Sequence, residues 1–284
     1  MPRVRRAGKH GKKPLPDFGL TRREADFLSR LSPPSQIQKF LDGLDYDVAG
    51  AHCRSPRRVL RERVVQCMDG ALFAAAALRV QGHPPLLLDL EAVFDDDHVL
   101  ALFRRDGCWG AIARSNYSGL RLREAIHPTI RSLVLSYFES YFNLRRQKTL
   151  RRYSRPVNLS RFDRLDWMTS EEDLWEIPQY LEEIPHRRLL TPAIERGLST
   201  VDRRTFEAGL VGREVQGLRR ELKSRAHGDL EASGAGHAVE TPGGVAPASD
   251  SRRMASIRRR SVSGASSSQK RASRRRFPSS TVRR

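Results

Sequence analysis

Residues 66–82 have the sequence QCMDGALFAAAALRVQG. Alanine and leucine dominate the stretch from Ala71 to Leu78, and both are strong helix formers, which predicts a helix over residues 67–81. Gly82 ends this helix, and the two prolines that follow it prevent continuation. A helix surface made mostly of alanine allows close packing, so we expect this helix to lie at the centre of the domain.

Three runs with strand character follow the central helix. They are Leu86–Leu90, His98–Phe103 and Trp109–Ala113. An acidic triplet at residues 95–97 separates the first two runs, and Arg-Asp-Gly at residues 105–107 supplies a turn before the third. Such short connections join antiparallel neighbours, so the sequence predicts a three-stranded antiparallel meander beside the helix.

Further helices are predicted on both sides of this core. Thr21 followed by Glu24 has the pattern of a capping box, and Ser55 before Pro56 is typical of a helix start. The amphipathic helix that starts at Pro128 is expected to reach Phe142, and Ser170 with Asp173 is expected to cap a short helix. The predicted helices begin near Thr21, Pro34, Ser55, Pro128 and Ser170, and a last one falls within residues 201–224. The fold class predicted is α+β, in one domain over residues 18–225.

Basic tails flank the predicted domain. The chain of 284 residues has a formal net charge of +19. Residues 1–13 contain six basic and no acidic side chains, and residues 225–284 contain thirteen basic and four acidic ones. Both ends have few large apolar residues, so residues 1–17 and 226–284 are predicted to be disordered. A tail of this kind favours salt-dependent contact with nucleic acid or another polyanion, although a solubilising role accounts for it equally well.

Several classes of protein are disfavoured by the composition. Apolar residues make up 38% of the chain, and no stretch approaches the roughly 18 apolar residues that a membrane helix needs. No apolar segment follows the basic N-terminus, so a secretory signal is not expected. The three cysteines are too few for a disulfide framework and fit a reducing cytoplasm. We found no spacing of ligands typical of zinc, and no cofactor is implied.

The order of polar residues around the central helix indicates thiol chemistry. Cys67 is predicted at the start of the helix, where free N–H groups and the helix dipole can lower the pKa of a thiol. His98 opens a neighbouring strand and is a natural general base for such a thiol. Asn116 or Ser115, which follow the third strand, could orient the imidazole. These four residues are the candidate catalytic residues.

The same residues resemble those of a known family. QCMDGALFAAAALRVQG is similar to the nucleophile helix of transglutaminase-like proteins, and His98-Val99-Leu100-Ala101-Leu102 followed by Gly107-Cys108-Trp109 is similar to their histidine strand and the Gly-x-Trp turn after it. The resemblance covers residues 59–116. It implies a papain-like α+β core and acyl transfer through a thioester on Cys67, with a protein or peptide as substrate.

One position departs from that family. An aspartate usually stands four residues after the tryptophan, and here Ala113 occupies this position. An asparagine in its place would hold the imidazole tautomer without stabilising the imidazolium by charge. Two functions therefore stay open: a cytoplasmic thiol enzyme that cleaves amides or transfers acyl groups, and a catalytically inactive interaction module on the same fold, with tails that bind nucleic acid or another polyanion.

Overall fold

The computed structural model of this protein describes residues 18–214. The predicted basic arm, the tail predicted to be disordered and the last residues of the predicted domain lie outside these residues. The described part combines helices with an antiparallel sheet, in agreement with the α+β class predicted from the sequence.

The helices occur before the main sheet, within it and after it. They are α1 (Arg22–Arg30), α2 (Pro34–Asp42), α3 (Pro56–Glu62), α4 (Cys67–Val80), α5 (Ile130–Phe138), α6 (Glu176–Glu183), α7 (Pro192–Arg196) and α8 (Arg203–Gly209), with a 3-10 helix at Leu159–Leu165. The strands are β1 (Asp45–Tyr46), β2 (Val64–Val65), β3 (Leu86–Ala92), β4 (His98–Arg105), β5 (Cys108–Ile112), β6 (Arg123–His127), β7 (Leu150–Tyr153), β8 (Val157–Asn158) and β9 (Arg187–Arg188).

The main sheet is antiparallel and is centred on β3 and β4. Within residues 18–214 its strand order is β6-β5-β4-β3-β7-β9, and β8 also pairs with β3. In the β3–β4 ladder Leu90 lies opposite His98, and in the β4–β5 ladder Ala101 lies opposite Ile112. The predicted meander is therefore confirmed as the centre of a larger sheet. The short strands β1 and β2 form a separate parallel pair.

Both faces of the main sheet are covered, because successive side chains of a strand point to opposite faces. On β4, Val99, Ala101 and Phe103 belong to a core that contains α4, which we call the α4-side core. Leu100 and Leu102 belong to a second core that contains the buried residues of α5, which we call the α5-side core. The sheet thus lies between two layers of helix.

The local signals at several helix starts are confirmed. Thr21 and Glu24 form a reciprocal capping box at α1, and Ser55 caps α3 with Pro56 at its first position. The central helix α4 begins at Cys67 as predicted, and its alanines are fully buried. The helix packs closely at Gly70, since a Cβ there would lie 2.5 Å from the Cβ of Arg114.

Three predictions about the later helices are wrong. The helix predicted to reach Phe142 ends at Phe138, and the buried Tyr141 and Phe142 lie beyond it. Helix α6 starts at Glu176, because the carboxylate of Asp173 binds the N–H of Cys53 and the guanidinium of Arg58 instead of capping a helix. Within residues 201–214 the last helix covers only Arg203–Gly209; the rest of its predicted range lies outside the described residues.

Candidate functional site

Cys67 occupies the first position of α4, next to the start of β4. Gln66 is the N-cap, and the carboxylate of Asp69 accepts a hydrogen bond from its N–H at 3.2 Å. The residue as a whole is half-buried, and the thiol is not part of a disulfide. The sequence therefore located the thiol correctly at the N-terminus of the central helix.

The surroundings of the thiol oppose its ionisation. Burial raises the pKa of Cys67 to about 12, and the negative charges of Asp69 and Asp96 act in the same direction. The backbone N–H groups of Met68 and Val99 favour the thiolate, but their influence is smaller. The expected lowering of this pKa is thus reversed, because burial of the sulfur, reinforced by two nearby carboxylates, outweighs the backbone donors at the start of α4.

An ion-pair network fixes the start of α4. Asp69 is fully buried and accepts hydrogen bonds from the backbone N–H of Arg54 at 2.7 Å and from its guanidinium at 3.1 Å. The same guanidinium also pairs with Asp47 and Glu62, both at 2.7 Å. Of these three carboxylates, Asp69 is the one whose negative charge acts on Cys67 and contributes to its raised pKa.

The His98 ring is held on the side of the sheet away from α4. Its Nε2 atom lies 2.9 Å from the carbonyl oxygen of Leu120, and its ring packs edge-on against Tyr141 with 6.4 Å between centroids. Leu120 and Tyr141 both belong to the α5-side core. Since a carbonyl can only accept, Nε2 carries the proton and Nδ1 is the unprotonated nitrogen.

Burial also keeps the imidazole neutral. It lowers the pKa of His98 to about 4, and the nearby positive charge of Arg123 contributes in the same direction, while the bond to Leu120 opposes the change. The side chain is 4% exposed. At neutral pH the ring is therefore an uncharged group in a packed environment.

The structure brings the backbone of β4 to Cys67 but directs the His98 ring elsewhere. Val99, the next residue, contributes its N–H to the surroundings of the sulfur, and its side chain belongs to the α4-side core. His98 precedes it by one residue and projects to the opposite face. Among residues 18–214 no hydrogen bond joins the thiol of Cys67 to the imidazole.

The two residues predicted to orient His98 make other contacts. The side-chain amide of Asn116 donates to the carbonyl of Glu214 and accepts from its N–H, both at 2.7 Å. The hydroxyl of Ser115 accepts the N–H of Tyr117 at 3.0 Å. The group that orients the ring is the Leu120 carbonyl, which carries no charge with which to stabilise an imidazolium.

Ala113, at the position where an aspartate was expected, is part of the α5-side core. Its methyl group is fully buried, and its backbone is bound from both sides by the amide of Gln38 at 3.3 and 2.9 Å. A carboxylate would meet apolar packing at this place. The residue that departs from the family pattern, Ala113, is therefore part of the packed core.

Metal ligation and membrane insertion receive no support within the described part of the chain. Residues 18–214 contain no group of three or more His, Cys, Asp or Glu side chains arranged to hold a metal ion. No helix formed by these residues has the length and apolar character required to cross a bilayer.

Comparison with known proteins leaves the site to be interpreted from its own geometry. The chain matches no model of a known protein family and no curated protein sequence. The structure thus shows an α+β protein in which Cys67 begins the central helix and His98 begins a central strand, with the His98 ring bound to the carbonyl of Leu120.

Proposed function

We propose that this chain is a catalytically inactive, transglutaminase-like interaction module with a papain-like core. The observation that supports it best is the direction of the His98 ring, which the Leu120 carbonyl holds within the α5-side core. Thiol catalysis needs a base within hydrogen-bond reach of the sulfur. The bond to Leu120 and the alternation of side chains along β4 both argue against such a pairing of His98 with Cys67.

The state of the thiol supports the same proposal. With a pKa of about 12, only about one Cys67 in 100,000 is a thiolate at pH 7. The usual remedy, an imidazolium beside the sulfur, is helped by an aspartate or asparagine that orients the ring, and a carboxylate also stabilises its charge. Ala113 supplies only a methyl group at that position. The thiolate, the imidazole base and the group that should orient the ring are therefore all disfavoured.

A second candidate is the thiol enzyme itself, favoured by the two N–H groups of Met68 and Val99 that act on the sulfur. In that case Cys67 is the nucleophile and His98 takes its proton. The thiolate then attacks an amide carbonyl of a protein or peptide, the amine leaves with the proton from His98, and water or a second amine cleaves the thioester. Asn116 and Ser115 stay candidates for the third residue of this mechanism.

Location and tails are part of the proposal. Three free cysteines fit a reducing compartment, so we place the protein in the cytoplasm. The arginine-rich tail would add weak, salt-dependent contact with nucleic acid or another polyanion. Retention on DNA across a salt series should fall when the tail arginines at residues 258–260 and 274–276 are replaced by glutamine; unchanged retention contradicts this role.

The test that separates the two functions is the pH dependence of thiol alkylation. Iodoacetamide labelling of Cys67 is measured by mass spectrometry from pH 6 to 11, with Cys108 as internal reference. The inactive module predicts that Cys67 labelling rises only in the most alkaline part of the series and is the same in wild type and His98→Gln. Labelling of Cys67 below pH 8 that the His98→Gln substitution abolishes would overturn the proposal in favour of the enzyme.

A further inference from the structure

The last described residues fold back onto the region beside Cys67. Helix α8 ends at Gly209, and Gly212 takes a positive φ of 75°, which turns the chain towards the body. We call Leu210–Glu214 the strap. The N–H of Arg213 donates to the carbonyl of Leu210 at 3.0 Å, which closes the turn. Glu214 is thereby presented to the loop that follows β5.

The body binds the backbone of the strap through one amide side chain. Asn116 accepts the N–H of Glu214 and donates to its carbonyl, with both distances 2.7 Å. A primary amide that satisfies the N–H and C=O of the same residue replaces one rung of a β-ladder. This contact recognises extended backbone and is independent of the side chain.

The carboxylate of Glu214 is bound separately. The backbone N–H of Tyr46 donates to Oε2 at 3.0 Å, and an Nη atom of Arg114 lies 3.7 Å from Oε1. Together with Asn116, these groups form what we call the strap groove. The strap groove therefore binds a glutamate side chain as well as backbone.

Arg114 gives the groove a preference for an anion. The residue is 7% exposed, its Nε atom is buried without a hydrogen-bond partner, and burial lowers the pKa of its guanidinium. A buried cation without a compensating carboxylate is strongly unfavourable. Asp42 and Glu214 both act on this cation, and Glu214 is the carboxylate that the strap adds, so an occupant without an acidic side chain would remove part of the compensation.

Apolar anchoring of the strap is weak. Val211 is 71% exposed and Leu210 is half-buried. Arg213 lies over the ring of Tyr117 with 5.6 Å between the guanidinium carbon and the ring centroid. Within Leu210–Glu214 the strap is thus held mainly by polar contacts, and a segment with few buried apolar contacts is typical of one that can open locally and exchange with a competitor.

The groove also adjoins the candidate site. Arg114 packs directly on Gly70 in the first turn of α4, and the ionised form of Cys67 would act on Tyr46. The strap therefore binds beside the start of α4, where a ligand of a papain-like core would approach.

We propose that the strap groove is a binding site for an extended peptide carrying a glutamate, and that the strap is its intramolecular occupant. The inference rests on the proposed interaction module and names its partner class. A peptide in solution competes with the strap for Asn116, Tyr46 and Arg114, so binding is weak in the resting protein and strong when the strap is released.

The test uses the full chain with the strap weakened by Glu214→Lys. The matched control is Glu207→Lys, which reverses an exposed carboxylate on α8 whose partner among residues 18–214 is the surface residue Arg203. The probe is a fluorescein-labelled peptide with the sequence AGLVGREVQ of residues 208–216, and binding is measured by fluorescence anisotropy. A scrambled peptide of the same composition and a peptide with glutamine in place of glutamate serve as ligand controls.

We expect Glu214→Lys to bind the probe about tenfold more tightly than wild type or Glu207→Lys. The substitution removes the hydrogen bonds to the carboxylate of the strap, whereas the glutamate of the probe can still form them. Adding Asn116→Ala should remove this gain. Equal binding by wild type and Glu214→Lys, or equal binding of the scrambled peptide, would overturn the groove. Circular dichroism melting confirms that each variant is folded, and Glu214→Gln replaces Glu214→Lys if the latter does not melt cooperatively.

Failure of this inference can be told apart from failure of the proposed function. If the probe does not bind and Cys67 labels only at alkaline pH, the groove is wrong and the inactive module stands. If the probe binds and Cys67 of Glu214→Lys labels below pH 8 in a His98-dependent way, the groove stands and the module is an enzyme.

Discussion

The burial of the His98 imidazole can be tested through the stability of the protein at acid pH. Its pKa is about 4 in the folded protein, against 6.5 for an exposed histidine. Protonation therefore takes place in the unfolded chain at a higher pH than in the folded one. The contribution of His98 to stability is complete above pH 6.5 and is lost as the pH falls from 6.5 towards 4.

The size of this loss follows from the two pKa values. Their difference corresponds to a decrease of about 3 kcal/mol in the free energy of unfolding between pH 7 and pH 4. The full value applies because the side chain is 4% exposed and solvent does not screen it. His98→Gln removes the titration and keeps an amide that can donate to the Leu120 carbonyl.

The assay is urea unfolding followed by circular dichroism at pH 7, 6, 5 and 4. Because all other groups are shared, the difference between wild type and His98→Gln isolates one histidine. We expect wild type to lose about 3 kcal/mol more than His98→Gln over this range. His127→Gln is the control: burial lowers the pKa of this histidine as well, but the residue is only half-buried, so a smaller difference is expected.

Parallel pH profiles for wild type and His98→Gln would contradict the lowered pKa of the buried His98 ring. They would mean that the ring is solvated, or that it finds an acceptor for its second proton. The ring would then be free to turn towards Cys67, and the argument for an inactive site would fall with the prediction.

Three further predictions concern the framework of the site. Arg54→Ala leaves the buried Asp69 without its cation and should lower the free energy of unfolding by about 3–5 kcal/mol, measured by urea titration at pH 7; a loss below about 1 kcal/mol contradicts the pairing. Gly70→Ala places a methyl carbon 2.5 Å from the Cβ of the arginine in the strap groove, so overpacking should cost about 1–3 kcal/mol in the same assay. The carboxylate of Asp89 raises the pKa of His186, so this pair stabilises the fold below pH 6.5. Wild type should therefore lose stability relative to His186→Gln as the pH rises towards 9. A constant difference in stability between the two proteins counts against the ion pair.

Local signals in the sequence predicted much of the fold. The alanine-rich helix α4, the strands β3 to β5 and the capped starts of α1 and α3 depend on neighbouring residues, and the structure agrees with them. The end of α5 depends on tertiary contacts. Tyr141 continues the apolar pattern of that helix, but its hydroxyl binds the carbonyl of Asp96, 45 residues away in the chain.

The candidate site was likewise predicted in part from the sequence. The positions of Cys67 and His98 at the starts of α4 and β4 were readable from the sequence. The direction of the His98 ring was not, because it depends on which face of the sheet α4 covers. The Leu120 carbonyl left no signal, since any residue has one, and Arg54 lies 15 residues from Asp69 without a recognisable spacing.

The alternation along β4 has a consequence for redesign. Val99 already faces the sulfur side of the sheet, and its backbone N–H acts on Cys67. Moving the imidazole forward by a single position, in a double variant His98→Val and Val99→His, would transfer it from one layer of the protein to the other. A shift of one residue along β4 therefore decides which of the two cores receives the imidazole.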